Sequence, residues 1–400
     1  MVQGEFVKGY QMKKILFITS RNIINTCGEL RLIKNRARVL YERYGFATDF
    51  LVFTHKKSQR PEEINAGGNL LAYQYNILSP IDMTIKYNKF KKLVLKKISG
   101  DEYDLVILSG ANILNLVDII KKVNNNLLVF ADIHGAFEEL IEFPAERKVK
   151  AIAQKMFYKY VKKVENTYIR KFDHILAVSE SLKRYLVSQY HVECNRIHIV
   201  PCSIEQVCLD VEKAKKQRSL AREKYGIADD EKLFIYSGGV SKWQCIEETV
   251  QMFQKICEEC EGKSKLLILS GSKAIISQYA SEKIVIDSLE ASEVAKTLLA
   301  GDYAFLLRAN YVTNNVAYPN KFLEYVSAGL KVVTTPFVDD VAEAVRKYNL
   351  GYVLNNVEYE NQFKEYYEAN HGEYGDDFDR RQELIDNICF EKCLQFFEGL

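Results

Sequence analysis

The chain has little that punctuates or spans: one tryptophan and six prolines in 400 residues, and no apolar run near the roughly 18 to 20 residues that cross a bilayer as a helix. Proline-rich, collagen-like and helical membrane-spanning architectures do not fit. The N-terminus shows no charged, apolar and small-residue leader, so a cytoplasmic protein is expected. Two phosphate-binding signatures are also missing. Neither G-x-G-x-x-G after a strand nor G-x4-G-K-[ST] occurs, which disfavours nicotinamide and flavin enzymes and P-loop NTPases. Nine cysteines, an odd number without a leader, argue against a disulfide framework. Cys257 with Cys260 and Cys389 with Cys393 fall at helical spacing and read as reduced helix cysteines, a four-cysteine zinc site being the alternative.

What is present is a folded α/β chain long enough for two domains, 48% hydrophobic and 27% charged. The net charge of +2 conceals an asymmetry: residues 1–200 carry 32 basic and 20 acidic side chains, and residues 201–400 carry 23 and 33. The first half is thus suited to an anionic partner, to the second half, or to both. Residues 1–11 have no pattern and read as a disordered tail. From Met12, short apolar strands alternate with helices: 13–20, a helix from Leu30 to Tyr44, TDFLVF, LLAYQY, LVILSG, a helix over 112–122, LLVFADIH, a long helix from Ala145 to Lys171, HILAVS and IHIVPC. The alternation restarts at KLFIYSGG and runs through KLLILSG, IVIDSL, YAFLLR, KVVTTP and GYVLNN. Such a series predicts parallel sheets covered on both faces. The expected layout is two doubly wound Rossmann-like domains, 12–203 and 204–375, facing a cleft at the carboxyl ends of their strands. An amphipathic C-terminal helix over 376–400 is expected to cross back to the first domain.

Candidate site residues follow from the strand ends. Gly28 precedes the first helix and reads as a turn glycine or as an anion-binding helix start. His134 ends the strand LLVFADIH, beside Gly135 and the pair Glu138 and Glu139, where the cleft should lie. In YSGGVSK, Gly238 and Gly239 let backbone approach a phosphate that Lys242 could neutralise. The run from Leu306 to Pro336 places Arg308 at a strand end and Pro319, Asn320, Lys321 and Glu324 around a helix start. Arg308, Lys321 and the helix N-terminus suit a diphosphate, and the Glu324 carboxylate suits the hydroxyls of a ribose. A surface i,i+3 ion pair between Lys321 and Glu324 is the competing reading.

The segment PNKFLEYVSAGLKVVTT resembles the nucleotide-sugar signature of retaining GT-B glycosyltransferases of the family-4 type (glycosyl transferases group 1). ADIHG, FDHILAVSESLKRYL, IHIVPCSIE and GDYAFLLR match that family's other landmarks, so the resemblance runs from about Met12 to Asn356. It implies a GT-B fold, a nucleoside diphosphate sugar donor held by the C-terminal domain, an acceptor on the N-terminal domain and no obligatory metal or other cofactor. Glu324 corresponds to the second carboxylate of the E-x7-E motif, and the first position is Val316, which leaves Asn314, Asn315 or Tyr318 to contact the transferred sugar. Gly239 stands where the family has an arginine. The resemblance further implies that Lys242, Arg308 and Lys321 stabilise the departing diphosphate while His134 positions the sugar. Ser237, Gly238, Ser270 and Gly271 would line the nucleotide, with Asp287 and Leu289 at the base and Pro319, Asn320 and Phe322 beside the phosphates.

Two basic segments stand out. Residues 147–171 hold nine basic residues and one acid, with Val149, Ile152, Met156, Tyr160 and Val164 at helical spacing, and KYNKFKKLVLKK at 86–97 holds six lysines. They read either as solvated faces or as attachment to anionic lipid at the inner face of the plasma membrane, suiting a lipid-linked acceptor. No nucleic-acid recognition motif accompanies them. The functional expectation is sugar transfer with retention onto a glycan or lipid-linked acceptor in bacterial surface polysaccharide or glycoconjugate synthesis. The rivals are a catalytically inactive GT-B subunit that binds glycan or a partner transferase, and a nucleotide-sugar epimerase.

Overall fold

The computed structural model describes residues 12–20, 28–54, 67–74, 80–100, 103–202, 209–260, 262–369 and 373–400. The expected tail 1–11, most of the loop before Gly28, His55, His371, Cys27 and Cys208 lie outside the described residues. The chain divides into two compact units, Met1–Glu205 with Cys389–Leu400, and Gln206–Ile388.

In the first unit β1 (Lys13–Thr19), β2 (Phe46–Thr54), β3 (Leu70–Gln74), β4 (Leu105–Ser109), β5 (Leu128–Ile133), β6 (His174–Ala177) and β7 (Ile197–Ile199) form one sheet in the order β3-β2-β1-β4-β5-β6-β7. Every pairing is parallel. Central strands such as LVILS are buried along their whole length, as helices on both faces of a parallel sheet require. Because the strands run one way, Thr19, Ser109 and Ile133 all end on one edge, and β1 and β4 flank the point where strand order reverses.

The second unit repeats the plan with β8 (Glu231–Ser237), β9 (Lys263–Leu269), β10 (Ile284–Asp287), β11 (Tyr303–Leu306), β12 (Lys331–Thr334) and β13 (Gly351–Val353), ordered β10-β9-β8-β11-β12-β13 and all parallel. Its reversal point lies between β8 and β11. The polar helix Val211–Lys224 docks by its arginines: Arg218 and Arg222 donate to the Ala300 carbonyl and pair with Asp302.

The sequence assigns no secondary structure to one segment, and one expectation needs correction. The lysine cluster 86–97 lies in the helix Pro80–Gly100, and Phe90, Val94 and Ile98 bury its i, i+4, i+8 stripe. The C-terminal segment does not cross back from residue 376. Helix Phe378–Ile388 stays with the second unit, because fully buried Arg381 pairs with Asp377 at 2.6 Å and donates to the Val326 and Leu330 carbonyls. Only Cys389–Leu400 joins the first unit, where Phe390, Leu394 and Phe397 complete a core containing Phe46, Phe50 and Phe130.

Candidate functional site

The loops at the carboxyl ends of β8 and β11 meet the helix Asn320–Ser327. That helix buries Phe322, Leu323, Tyr325 and Val326, which fixes its N-terminal turn against the sheet. The Tyr325 hydroxyl reaches back across the strand, accepting from the Ser237 amide at 2.9 Å and donating to its carbonyl at 3.4 Å. Lys321 is thereby held over the end of β8. A Cβ on Gly238, whose φ is +151°, would lie 1.4 Å from Lys321 Nζ, so only glycine leaves the amine its place. The amine sits 5.3 Å above the Tyr236 ring, and the Tyr236 hydroxyl donates to the Gly239 carbonyl at 2.6 Å, pinning the glycine loop.

Lys321 is half-buried as a residue, yet its Nζ is out of solvent with no hydrogen-bond partner, as is Asn320 Oδ1. Burial first, then the Arg308 charge, push the Lys321 amine down to about 7, against the opposing pull of Glu324. Arg308, 5% exposed, donates to the Leu307 and Gln244 carbonyls, and burial lowers its pKa as well. Among the described residues neither cation forms a salt bridge with a carboxylate. The i,i+3 surface pair read from the sequence is therefore not what the structure holds. Two shielded positive groups and backbone at a glycine loop form a corner short of negative charge, which an anion would relieve.

The other residues predicted for this unit are less uniform. Ser237 ends β8 and Ser270 follows β9, both buried, and Gly271 is exposed beside them. Asp287, at the end of β10, accepts from the Tyr225 hydroxyl at 2.9 Å and the Ser288 amide at 2.8 Å, and Leu289 follows half-buried. Pro319 caps the helix and half-buried Glu324 lies one turn beyond Lys321. Lys242 is exposed in a short 3-10 turn, whereas Phe322 is fully buried, a core side chain and not a ligand contact. Val316 is 3% exposed, Asn314 donates to the Ala309 carbonyl at 2.9 Å, and Tyr318 packs on Phe322. Asn314 and Tyr318 are thus turned to structural work, and the amide of half-buried Asn315 bonds to Asn310 at 3.0 Å.

In the first unit Gly28 opens the helix Gly28–Tyr44 after β1. His134 follows β5, and its Nε2 lies 2.7 Å from Asp132 Oδ2. The other Asp132 oxygen accepts from Arg36 Nη1 at 2.8 Å, and Arg36 Nη2 donates to the Val200 carbonyl at 3.4 Å. Burial alone would raise the Asp132 pKa, but His134 and Arg36 hold it far below the usual carboxylate range. The buried carboxylate fixes the imidazole ring, an arrangement suited to orienting a hydrogen bond. Sequence reasoning missed Asp132 and Arg36, although residues two apart on a strand share a face and ADIH displays that spacing. Glu138, four residues on, accepts from Tyr185 at 2.5 Å and Lys162 at 3.1 Å, tying the His134 loop to the helices Lys148–Tyr168 and Glu180–Tyr190. Among the described residues no group of three or more His, Cys, Asp or Glu could hold a metal ion, so the two cysteine pairs do not make a four-cysteine zinc site.

Residues 43–206 match the model of Glycosyltransferase Family 4. No curated protein sequence matches significantly. Solved structures match along nearly the whole length. A glycosyltransferase from Rickettsia africae ESF-5 superposes with a TM-score of 0.70 at 15% identity, covering 98% of this chain and 99% of that one. Sucrose-phosphate synthase from Thermosynechococcus elongatus gives 0.72 at 13% identity over 96% and 97%. A trehalose-6-phosphate protein from E. coli, bound with UDP-2-fluoro glucose, gives 0.62 at 11% identity over 97% and 98%. The family match lies in the first unit and the likeness along the whole chain shows a GT-B fold, and both agree with the residues that carried the resemblance.

Proposed function

We propose that the chain transfers a sugar from a nucleoside diphosphate sugar to a glycan or lipid-linked acceptor, with retention, as a peripheral enzyme at the cytoplasmic face of the membrane in surface polysaccharide or glycoconjugate synthesis. The carrying observation is the pair Lys321 and Arg308, two shielded cations without a carboxylate partner. Departure of a nucleoside diphosphate develops negative charge at its terminal phosphate, and preorganised cations beside a glycine loop stabilise that charge without reorganisation. They supply within the chain the neutralisation that a divalent ion supplies elsewhere, so no metal is required. Ser237, Gly238, Gly239, Ser270 and Gly271 surround the nucleotide, Asp287 and Leu289 edge the base, and Glu324 takes the ribose hydroxyls. His134, held by Asp132, orients the transferred sugar, and the acceptor hydroxyl attacks from the leaving-group face as its proton passes to the departing phosphate oxygen. The UDP-2-fluoro glucose held by the E. coli protein of the same fold supports the donor class.

The test is a thermal-shift screen of nucleoside diphosphates and nucleotide sugars, with chelator present, on the wild type, Lys321→Ala and Glu324→Ala. Stabilisation of the wild type alone is expected, and a panel that shifts nothing refutes the donor site. Buried Val316, where the family carries a carboxylate, favours a second reading, a subunit that binds without turnover. Release of nucleoside diphosphate from whichever donor binds separates the two.

A further inference from the structure

The helix Lys148–Tyr168 is built inside out for its first three turns. At 100° per residue, Val149, Ile152, Met156 and Tyr160 fall within an arc of about 80°, centred roughly opposite the face that carries Ala151, Tyr158 and Val161. Val161 is buried and Ala151 and Tyr158 are half-buried, yet the apolar four are 80%, 61%, 68% and 48% exposed. Of the five apolar residues in the predicted stripe only Val164 turns inward. Ile141, in the short helix Glu139–Glu142, adds a fifth exposed apolar side chain beside Ile152, across a groove they both line.

Charge follows the same geometry. Lys148, Lys155 and Lys159 project along one edge of the apolar arc and Lys163 falls within it; all four are exposed, and among the described residues none forms an ion pair. The helix's one acid, Glu165, is buried and accepts from Tyr190 at 2.6 Å, so it does not offset them at the surface. The segment 86–97 differs: Phe90 and Val94 are buried and Tyr87, Leu93 and Leu95 are half-buried, so none of its apolar side chains stands exposed, and Lys97 pairs with Asp49 at 3.8 Å.

We propose that the outer face of Lys148–Tyr168, with Ile141, is an anionic-lipid docking surface that lies in the bilayer interface, and that residues 86–97 do not share this role. The inference deepens the peripheral, lipid-linked reading given above. An apolar ridge edged by unpaired lysines matches the interface of an anionic bilayer, where side chains enter the acyl boundary and ammonium groups meet phosphates. A second copy of the chain fits worse, because a two-fold contact would set the same lysine edges against one another. The docked helix is joined to the chemistry: Glu138, four residues beyond His134, is clamped by Lys162 and Tyr185, so the surface that meets lipid also holds the loop that meets sugar.

The experiment is sedimentation of the full chain with phosphatidylcholine vesicles, with and without phosphatidylglycerol, at low and high salt and without donor or acceptor. Binding that needs phosphatidylglycerol and weakens with salt is expected. The triple variant Lys148→Gln, Lys155→Gln, Lys159→Gln should bind about a hundredfold more weakly, and Ile152→Ser with Met156→Ser at least about tenfold more weakly. Ile275→Ser, an exposed apolar change in the second unit, should bind as the wild type does. All variants should keep the wild-type melting temperature and any shift with nucleoside diphosphate, so this result stands or falls apart from the donor site. Wild type that ignores anionic vesicles, or helix variants that bind undiminished, overturns the proposal. So does a wild-type dimer in lipid-free ultracentrifugation that Ile152→Ser with Met156→Ser dissociates.

Discussion

Replacing Lys321 by methionine should make the protein more stable and less able to bind its donor. The amine is out of water with no hydrogen-bond partner. An unsatisfied buried polar group costs about 1 to 3 kcal/mol, and the contact with the Tyr236 ring returns about 1 kcal/mol. A thioether of similar length removes the penalty, so Lys321→Met should raise the melting temperature by a few degrees. It also removes a charge-assisted contact to phosphate, weakening nucleoside diphosphate binding by about 10- to 100-fold. The pH dependence is the sharper check. With the free amine at about 7 and the protonated form binding, apparent Kd should rise about fivefold from pH 7 to 8 and about tenfold more by pH 9. Stability moves the other way: the folded pKa lies below the ordinary 10.5, so between about 7 and 10.5 the unfolded chain holds more protons and stability rises with pH. The methionine variant should lack both slopes. Scanning fluorimetry across this pH range, with and without each common nucleoside diphosphate, reads all three effects. A variant less stable than wild type, or wild-type binding flat from pH 7 to 9, refutes the argument.

Asp132→Asn strands the Arg36 guanidinium, 3% exposed, and should lower stability by about 3 to 5 kcal/mol in urea unfolding; because the Asp132 pKa is depressed, the wild type holds this contribution above the usual carboxylate range and loses it only as pH falls below, a loss the variant should not show. His198 stacks on Phe396 at 4.0 Å and bonds to His174 at 3.0 Å, and burial, then His174 and Lys183, push it down to about 4. Wild-type stability should fall as pH drops from 6.5 toward 4, and His198→Phe should flatten that slope in thermal melts; equal slopes refute the account. Val316→Glu restores the family's first carboxylate at a site 3% exposed, so it should cost about 3 kcal/mol or more without improving donor affinity, measured by melting and by titration. A variant that is stable and binds more tightly would show that Val316 faces the sugar after all.

The strands of both units were legible because parallel strands covered on both faces must be continuously apolar, and runs such as LVILS and LLIL say so without help from their neighbours. The helix Pro80–Gly100 was not, because six lysines between residues 86 and 97 hid a stripe of one residue per turn at Phe90, Val94 and Ile98. A C-terminal return to the first unit was expected, but its start was misplaced at 376 instead of Cys389 for another reason. Periodicity shows that a helix has an apolar face but not which of two cores receives it, and the decision rests on Arg381 meeting carbonyls more than 50 residues away. The same limit applies in the site. His134 and Lys321 were singled out from strand ends and helix starts, whereas the Arg36–Asp132 pair spans 96 residues and the Ser237–Tyr325 bond spans 88.

The helix Asn320–Ser327 shows why site and core were hard to separate from sequence alone. Phe322, Leu323, Tyr325 and Val326 enter the core while Lys321 and Glu324, three apart, share the remaining edge. The buried set fixes the helix that carries Lys321, and the absence of a Cβ at Gly238 leaves the space that its amine occupies. An unpaired ammonium is therefore held by packing chosen for other reasons, which is how a fold sustains a local charge its own stability would reject. Phe322 belongs to the restraint and Lys321 to the proposed donor site, although the two are adjacent and a motif reads them as one. Phe322→Leu should accordingly loosen the corner and lower both stability and donor affinity, whereas Lys321→Met should separate the two, raising the first while lowering the second.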